Sequence, residues 1–422
     1  MQMRVAGLSN QNTPSNDWNL GRWLQYQEQL HPRAIELGLE RVGGVARRLG
    51  VLDAVPTTLT IGGTNGKGSS ATLAALICRE AGHRVGLYTS PHLMHYNERI
   101  SVDGRDADDA ALCAAFAAVE AARGETPLTY FEFGTLAALL LFRQAGVTVQ
   151  VLEVGLGGRL DAVNLIAADA ALVTSIGLDH LDWLGNSRES IGREKAGIFR
   201  AGRPAVCSDP DPPRSLGAAN RQLGRDFSYE DAQPQWHWRG VARRYHQLPR
   251  PGLPGAFQLQ NAAGVLALLE ALPGLGIGEE QIRAALPRLK LPGRFQRVGK
   301  VILDVAHNAE AAAALAHNLR AAGLGENIAV VLGMLSDKPV EEVGRVLAGF
   351  CREVWLGGLP APRGLSAEQL AARLAGSDLK LHLHADVPAA FAAAGAGARG
   401  DIVVTGSFLT VASVTELLNP HG

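Results

Sequence analysis

Residues 58–70 read Thr-Leu-Thr-Ile-Gly-Gly-Thr-Asn-Gly-Lys-Gly-Ser-Ser, a β-branched run that breaks into a glycine-rich loop carrying one lysine, Lys67. A helix-forming stretch follows at once, from Ala71 to about Ala81, which sets the loop between a strand and a helix N-terminus. Glycines there let backbone N–H groups converge on an anion, the helix dipole adds partial positive charge, and a lysine reaches terminal phosphates. A turn that only reversed the chain would have no use for that lysine. A nucleotide is therefore the expected ligand, and a strand-loop-helix unit the expected nucleus of the fold.

The loop departs from the commonest phosphate-loop pattern, G-x-x-x-x-G-K-[ST], in two places. Position 61 is Ile, and Gly68 separates Lys67 from the hydroxyls of Ser69 and Ser70. The short form Gly63 to Ser69 resembles the ATP loop of the Mur ligase superfamily, whose members join carboxylic acids to amines.

Further strand-like runs alternate with helical segments: Leu59 to Ile61, Arg84 to Tyr88, Val149 to Val154, Ala171 to Ile176 and Pro204 to Cys207. This alternation predicts an α/β fold, a mostly parallel sheet covered by helices, with ligands beyond the C-terminal strand ends. From Gln233 to Gln260 short alternating segments with Trp236, Trp238 and Tyr245 give way to a Pro/Gly-rich stretch, read as a small antiparallel insertion. Asn261 to Leu289 reads as helical and leads to a hinge at Leu291-Pro292-Gly293-Arg294. A second series then begins, with Val301 to Val305, Ile328 to Leu332, Val354 to Leu356, Leu379 to Leu383 and Ile402 to Thr405 separated by helices such as Glu310 to Ala322. Two domains are expected, 1–293 holding the phosphate loop and 294–422 a smaller Rossmann-like α/β domain that closes over it.

Composition narrows the partners. The 422 residues suffice for two or three domains, and a net charge of -1 argues against a bulk polyanion such as nucleic acid. Cys78, Cys113, Cys207 and Cys351 lie far apart with no metal-ligand spacing, which fits a reducing cytoplasm. The stretch Met1 to Asp17 lacks the apolar core of a secretory signal, and the apolar run Leu136 to Phe142 is too short to span a membrane. Small-molecule chemistry in a cytoplasmic monomer is the expectation, with no membrane partner.

The strand Val149 to Leu152 runs into Glu153, where phosphate-loop enzymes place an acid that holds magnesium. Taken alone, Glu153 could be a surface carboxylate. His180, in Gly-Leu-Asp-His, could ligate a cation or be an ordinary loop histidine, and Ser90, in Thr-Ser-Pro-His, offers a hard oxygen or a turn hydroxyl. Lys195 stands before an apolar step and could be a solvated helix-end lysine, a reading that fits Lys338 better still. Asp304-Val-Ala-His307-Asn308 closes the first strand of the second domain, where a ligand would meet it.

Together these segments carry a resemblance. G-T-N-G-K-G-S at 63–69, T-S-P-H-L at 89–93, T-Y-F-E-F at 129–133, L-E-V-G-L-G-G-R-L-D-A at 152–162, D-H at 179–180, E-K-A-G-I-F at 194–199, P-G-R at 292–294 and D-V-A-H-N at 304–308 resemble the folylpolyglutamate synthase family from about residue 20 onward. The common family form continues the last motif with Pro, where Ala309 stands here. The resemblance implies that Thr64, Asn65, Gly66, Lys67, Gly68 and Ser69 hold ATP phosphates, with Asn261, Arg294 and Asp304 as further ATP contacts. It implies Mg2+, two ions, at Ser90, Glu153 and His180, and at Lys195 where that lysine is carbamylated. Lys67, His180, Lys195 and His307 would be the catalytic groups. Ala34, Ile35, Glu36, Leu37, Thr129, Tyr130, Phe131, Glu132, Leu160, Asp161 and Ala162 would line a pterin pocket. The implied reaction is ATP-driven joining of L-glutamate to dihydropteroate or a folate through an acyl phosphate. A cell-wall Mur-type ligase and a nucleotide-dependent binding module without ligase activity are the alternatives.

Overall fold

The computed structural model describes residues 14, 17–31, 33, 35–219, 223–224, 227–325, 328–397 and 400–419. Its first domain is built on β1 (Thr57–Gly62), β2 (Val85–Tyr88), β3 (Ile100–Val102), β4 (Arg105–Asp106), β5 (Val149–Glu153), β6 (Ala170–Val173), β7 (Ala205–Cys207) and β8 (Leu223–Gly224). They lie in the order β4-β3-β2-β5-β1-β6-β7-β8, parallel from β2 to β8 and antiparallel only at the β3 and β4 edge. β1 sits at the centre, with Leu59 opposite Val151 of β5 on one side and Ala170 of β6 on the other.

Both faces of these central strands are buried, largely by apolar residues with Thr58, Thr60 and Gln150 among them, and the two-residue period sends alternate side chains to opposite layers. Val149, Val151, Ala170 and Leu172 join Leu59 and Ile61 in the layer of helices Lys67–Glu80 and Ala256–Glu270. Leu152, Val154, Ala171 and Val173 face the other way, against Phe133, Leu136 and Phe142 of helix Tyr130–Gln144. The parallel register brings the ends of β2, β5, β1 and β6 side by side, and Ser90, Glu153, the phosphate loop and His180 all follow those ends.

The antiparallel insertion begins earlier than the sequence pattern suggests. It comprises β9 (Ser228–Ala232), β10 (Gln235–Arg239) and β11 (Arg244–Pro249), ordered β11-β10-β9. Trp236 and Trp238 point to its buried face, where the Trp238 indole N–H donates to Ala263 O at 3.1 Å and stacks on Tyr245. The helix expected over 261–289 is two helices, Ala256–Glu270 and Glu279–Ala285. Pro273 opens a short 3-10 turn between them that ends on left-handed Gly276, so no single helix could run through.

The second domain carries β12 (Gln296–Val298), β13 (Val301–Leu303), β14 (Ala329–Leu332), β15 (Glu353–Gly357), β16 (Lys380–His384) and β17 (Ile402–Thr405), ordered β12-β13-β17-β14-β15-β16. The sheet is parallel apart from β12, an antiparallel edge strand that the hydrophobic pattern did not disclose. Leu93, from the loop after β2 in the first domain, is buried in this second core beside Val305 and Val411. Among the described residues no helix is long and apolar enough to cross a membrane.

Candidate active site

The helix of the phosphate loop starts at Lys67 itself, four residues before the start expected from sequence, and Gly66 caps it at φ 85°. Gly63 has φ 143°, and a Cβ there would lie 1.8 Å from Thr174 Oγ1. No other residue type fits that position without moving the end of β6. Gly63→Ala is expected to destabilise the fold by about 2–3 kcal/mol and to weaken ADP binding at least tenfold. A denaturation midpoint and an ADP titration check it, and an unchanged midpoint would remove the steric argument.

The residues after β6 brace the loop. Thr64 N–H donates to Ser175 O at 2.7 Å, Asn65 N–H donates to Ser175 Oγ at 3.1 Å, and Thr174 Oγ1 donates to Asn65 O at 2.7 Å. The N–H groups of Thr64 and Asn65 are thus committed to the strand end. The donors offered to an anion are those from Gly66 to Ser69, in the first turn, where a helix leaves its N–H groups without internal partners. Asn261 packs on this turn, its amide oxygen 2.4 Å from where a Cβ on Gly66 would stand, and donates to Gln258 Oε1 at 3.1 Å.

Two lysines flank the loop. Lys67 Nζ donates to Thr64 O at 3.1 Å, and Lys195 Nζ, from helix Arg188–Ala196, donates to Gly63 O at 2.8 Å. Lys195 is only 4% exposed, and burial followed by the charge of Lys67 brings its amine down to about 7. Burial also lowers Lys67, against the opposing pull of Glu153 and Asp179. Glu153 is buried at the end of β5, accepts from Ser90 N–H at 3.0 Å, and lies 3.7 Å from a would-be Cβ of Gly68. Burial raises its carboxyl, with Lys67 the main restraint.

His180 adopts a left-handed conformation, φ 54°, at the start of the short helix Leu181–Leu184. Burial, opposed by Asp179 and reinforced by Lys338 and Lys67, takes its imidazole down to about 4, so it is neutral at pH 7. Among the described residues no three His, Cys, Asp or Glu side chains converge as a ready-made metal cage. The candidate donors are instead of mixed type: the Glu153 carboxylate, the Ser90 hydroxyl, the neutral His180 imidazole and the Lys195 nitrogen.

The second domain reaches into this site with His307, Arg294 and Asp304, named as site residues from the sequence, and with Lys338, which was not. Lys338, expected to be solvated, is 7% exposed and donates to Asp179 Oδ1 at 2.8 Å. His307 Nε2 stands 3.7 Å from Asp179 Oδ2 while its Nδ1 lies 2.8 Å from Val305 O. Burial alone would raise the Asp179 carboxyl, but His307, His180 and Lys338 hold it well below the usual carboxylate range. Asn65 uses both ends of its amide on that domain, accepting from Asn308 at 3.1 Å and donating to Glu310 at 3.0 Å. Arg294 lies over the Phe408 ring, 5.3 Å from its centroid, and is drawn by Asp304 and Glu153. Asp304 itself accepts from Phe295 N–H and Ala306 N–H, so its carboxylate also shapes the hinge.

The expected pterin residues divide into two kinds. Thr129 and Glu132 form a capping box at the start of helix Tyr130–Gln144, and Glu132 is gripped by Arg41 at 2.7 and 2.9 Å. Both are buried in that structural work. Phe131 lies against Gly155 and tilts on Tyr88, while Tyr130 packs edge-on to Tyr96. Gly38 N–H donates to Leu160 O at 3.3 Å, which joins the segment holding Ile35, Glu36 and Leu37 to the loop of Leu160, Asp161 and Ala162. Glu36 pairs with His31 at 3.2 Å, and Ala34 lies outside the described residues. Asp161 is buried with N–H donors from Leu156 and Val163, and burial nonetheless pushes its carboxyl up to about 7.

This arrangement has known counterparts. Residues 61–269 match the Mur ligase middle domain, and residues 293–408 match the Mur ligase, glutamate ligase domain. The dihydrofolate synthase/folylpolyglutamate synthase of Escherichia coli (strain K12) is 44% identical over 419 residues, covering 96% of this chain and 97% of that protein. A structure of E. coli FolC in complex with DHPP and ADP aligns with a TM-score of 0.91 at 43% identity, covering 97% of this chain and 99% of that one. A bifunctional folylpolyglutamate synthase/dihydrofolate synthase with Mn, AMPPNP and L-glutamate bound gives a TM-score of 0.88 at 44% identity, covering 96% of this chain and 100% of that one.

Proposed function

The chain belongs to the dihydrofolate synthase/folylpolyglutamate synthase family of Mur ligases, and from that premise we propose how its own residues divide the reaction. It is an ATP-dependent ligase that joins L-glutamate to dihydropteroate and to reduced folates. A carboxylate is a poor electrophile, so it first takes the γ-phosphoryl group of ATP to become an acyl phosphate, releasing ADP. The glutamate amine then attacks the acyl carbon, loses a proton and expels inorganic phosphate.

The observation that carries the assignment of roles is the convergence of Lys67, Lys195 and Glu153 on one phosphate loop. The first-turn N–H groups from Gly66 to Ser69 and the Lys67 ammonium receive the ATP phosphates. Asn261, Arg294 and Asp304 hold the rest of the nucleotide from the facing helix and the hinge. Glu153, Ser90 and His180 supply the oxygen and imidazole donors that suit a divalent cation, which we take to be Mg2+. A second Mg2+ would be held by Lys195 once its amine has taken up CO2 as a carbamate. Bound there, the cations supply charge neutralisation on the phosphate oxygens.

Phe131, Leu160 and Asp161 form the pterin end of the site in this reading, with Tyr130, Ala162 and the loop Ile35–Leu37 around them. Thr129 and Glu132 act by fixing the helix that presents Phe131. Lys338 brings positive charge from the second domain, and His307 a ring nitrogen beside Asp179, to the position where the glutamate amine attacks. Docking of that domain keeps water from the acyl phosphate. We place the domain boundary between Gly293 and Arg294, a position supported by the left-handed Gly293 just before β12. The free cysteines Cys78, Cys113, Cys207 and Cys351 suit a cytoplasmic location, and we take the chain to act as a monomer.

The purified protein with ATP, Mg2+ and labelled glutamate, given dihydropteroate and a reduced folate in separate tubes, tests the reading. Product is expected in both. Label incorporated in neither, with ATP hydrolysed regardless of the pterin, would reject the ligase in favour of a nucleotide-dependent module.

A further inference from the structure

The loop after β2 ties the cation site to the second domain's core. Ser90 N–H donates to Glu153 at one end of the segment, and three residues later Leu93 is 7% exposed inside a cluster otherwise made by the second domain, among the described residues. A Cβ placed on Gly293, at the hinge, would lie 3.5 Å from Leu93 Cδ2, 3.0 Å from Val305 Cγ1 and 3.4 Å from Val411 Cγ1. Leu93 therefore sits where the hinge, the strand end leading to His307 and the helix Phe408–Leu418 meet. Three residues span at most about 10 Å, so movement at one end of the segment is felt at the other.

The segment is stiff. The Glu98 carboxylate accepts from the N–H groups of Leu93, Met94 and His95, each at 2.7 Å, and Thr89 N–H donates to Arg99 O at 2.9 Å. Arg99 in turn donates to His92 Nδ1 at 2.8 Å. A loop held at Thr89 and at four successive positions from His92 to His95 transmits displacement instead of absorbing it. Met94, partly buried, leans on the same foreign core.

We infer that Leu93 is a positioning residue that makes the placement of Ser90 in the cation site conditional on docking of the second domain. With that domain docked, burial of Leu93 fixes the loop and aims Ser90 beside Glu153. With the domain swung away, Leu93 would face water, and the loop would have its apolar anchor removed. Full cation affinity is thereby confined to the docked state, in which water is kept from the acyl phosphate. The inference rests on the reading of Ser90 as a cation ligand.

Mn2+ binding to the ADP-loaded full chain, followed by electron paramagnetic resonance, tests it without reference to turnover. Leu93→Ala is expected to weaken Mn2+ binding about tenfold or more, as loss of a group supporting a ligand does, and Leu93→Met to stay within about twofold. Should alanine prevent folding, Leu93→Val is expected to weaken it about threefold. Val331→Ala, in the same core but in the interior of β14, controls for general loss of stability and is expected to leave Mn2+ affinity within about twofold. Unchanged affinity in L93A, or an equal loss in V331A, overturns the coupling. Ser90→Ala separates the two levels: no loss of Mn2+ affinity there removes Ser90 from the site and the proposal with it. Loss in S90A without loss in the folded Leu93 variant removes the coupling alone.

Discussion

Replacing Lys195 with alanine is expected to lower kcat for ligation by at least about 100-fold, the scale of removing one charge-stabilising group from a preorganised site, while ADP affinity changes by no more than about threefold. The lysine is buried and donates to Gly63 O, four residues ahead of the helix whose first-turn N–H groups are proposed to receive phosphate. Its amine, brought down to about 7, is substantially neutral at physiological pH, whereas an exposed lysine keeps nearly all its protons. A neutral amine adds to CO2, its nitrogen lone pair forming the N–C bond and its proton leaving to water, to give a carbamate. Protonation below about pH 7 blocks that step, so ligation is expected to fall as pH drops through 7 and to recover in part with added bicarbonate. Linkage runs the same way: the unfolded amine holds its proton up to about 10.5, so the penalty of burying this group is full below 7 and shrinks as pH rises. Ligation by K195A within tenfold of the parent would remove Lys195 from the mechanism. Activity indifferent to CO2 would remove the carbamate and leave the lysine.

Lys67→Ala is expected to be the more damaging change, lowering pterin-stimulated phosphate release by about 10³-fold or more and weakening nucleotide binding as well. Lys67→Arg should recover little. The ammonium is a compact charge donating to Thr64 O and facing Glu153, and a guanidinium fork neither fits that space nor repeats its geometry. The two lysines are also coupled. Lys67 is, after burial, the main cause of the lowered Lys195 amine, so its removal makes Lys195 more basic and less able to take up CO2. The double variant K67A/K195A is then expected to be scarcely worse than K67A, as groups that act as a unit behave. Additive losses in single-turnover kinetics would show that the lysines act separately.

These two lysines differ in how much of their role could be read from the chain. Lys67 lies inside a loop whose glycines, strand and helix announce an anion site locally. Lys195 sits in Arg-Glu-Lys-Ala, a polar helix end by any local criterion, and its burial arises because helix Arg188–Ala196 packs behind the phosphate loop. Glu153 was legible because a strand ran into it. Lys338 and Asp179 were not, since their pairing depends on two separately built sheets meeting, and nothing in Ser-Asp-Lys-Pro marks a buried cation. Thr129 and Glu132 carry a local signal of another kind. Their spacing is that of a capping box, a signal present in the sequence beside the pocket role that the resemblance implies. The central sheet and its order of burial followed from β-branched runs; the break at Pro273 and the edge strand β12 were hidden by short elements with weak periodicity.

Asn65 spends both ends of its amide on the second domain, so the phosphate loop is jointly owned. A first domain acting alone would hold ATP in a loop lacking its outer brace. In the reading proposed above, ATP would meet a fully braced loop only with the second domain docked, and the cell's energy currency would be guarded by that joint ownership. Idle hydrolysis would then be restrained by architecture, without any separate inhibitor.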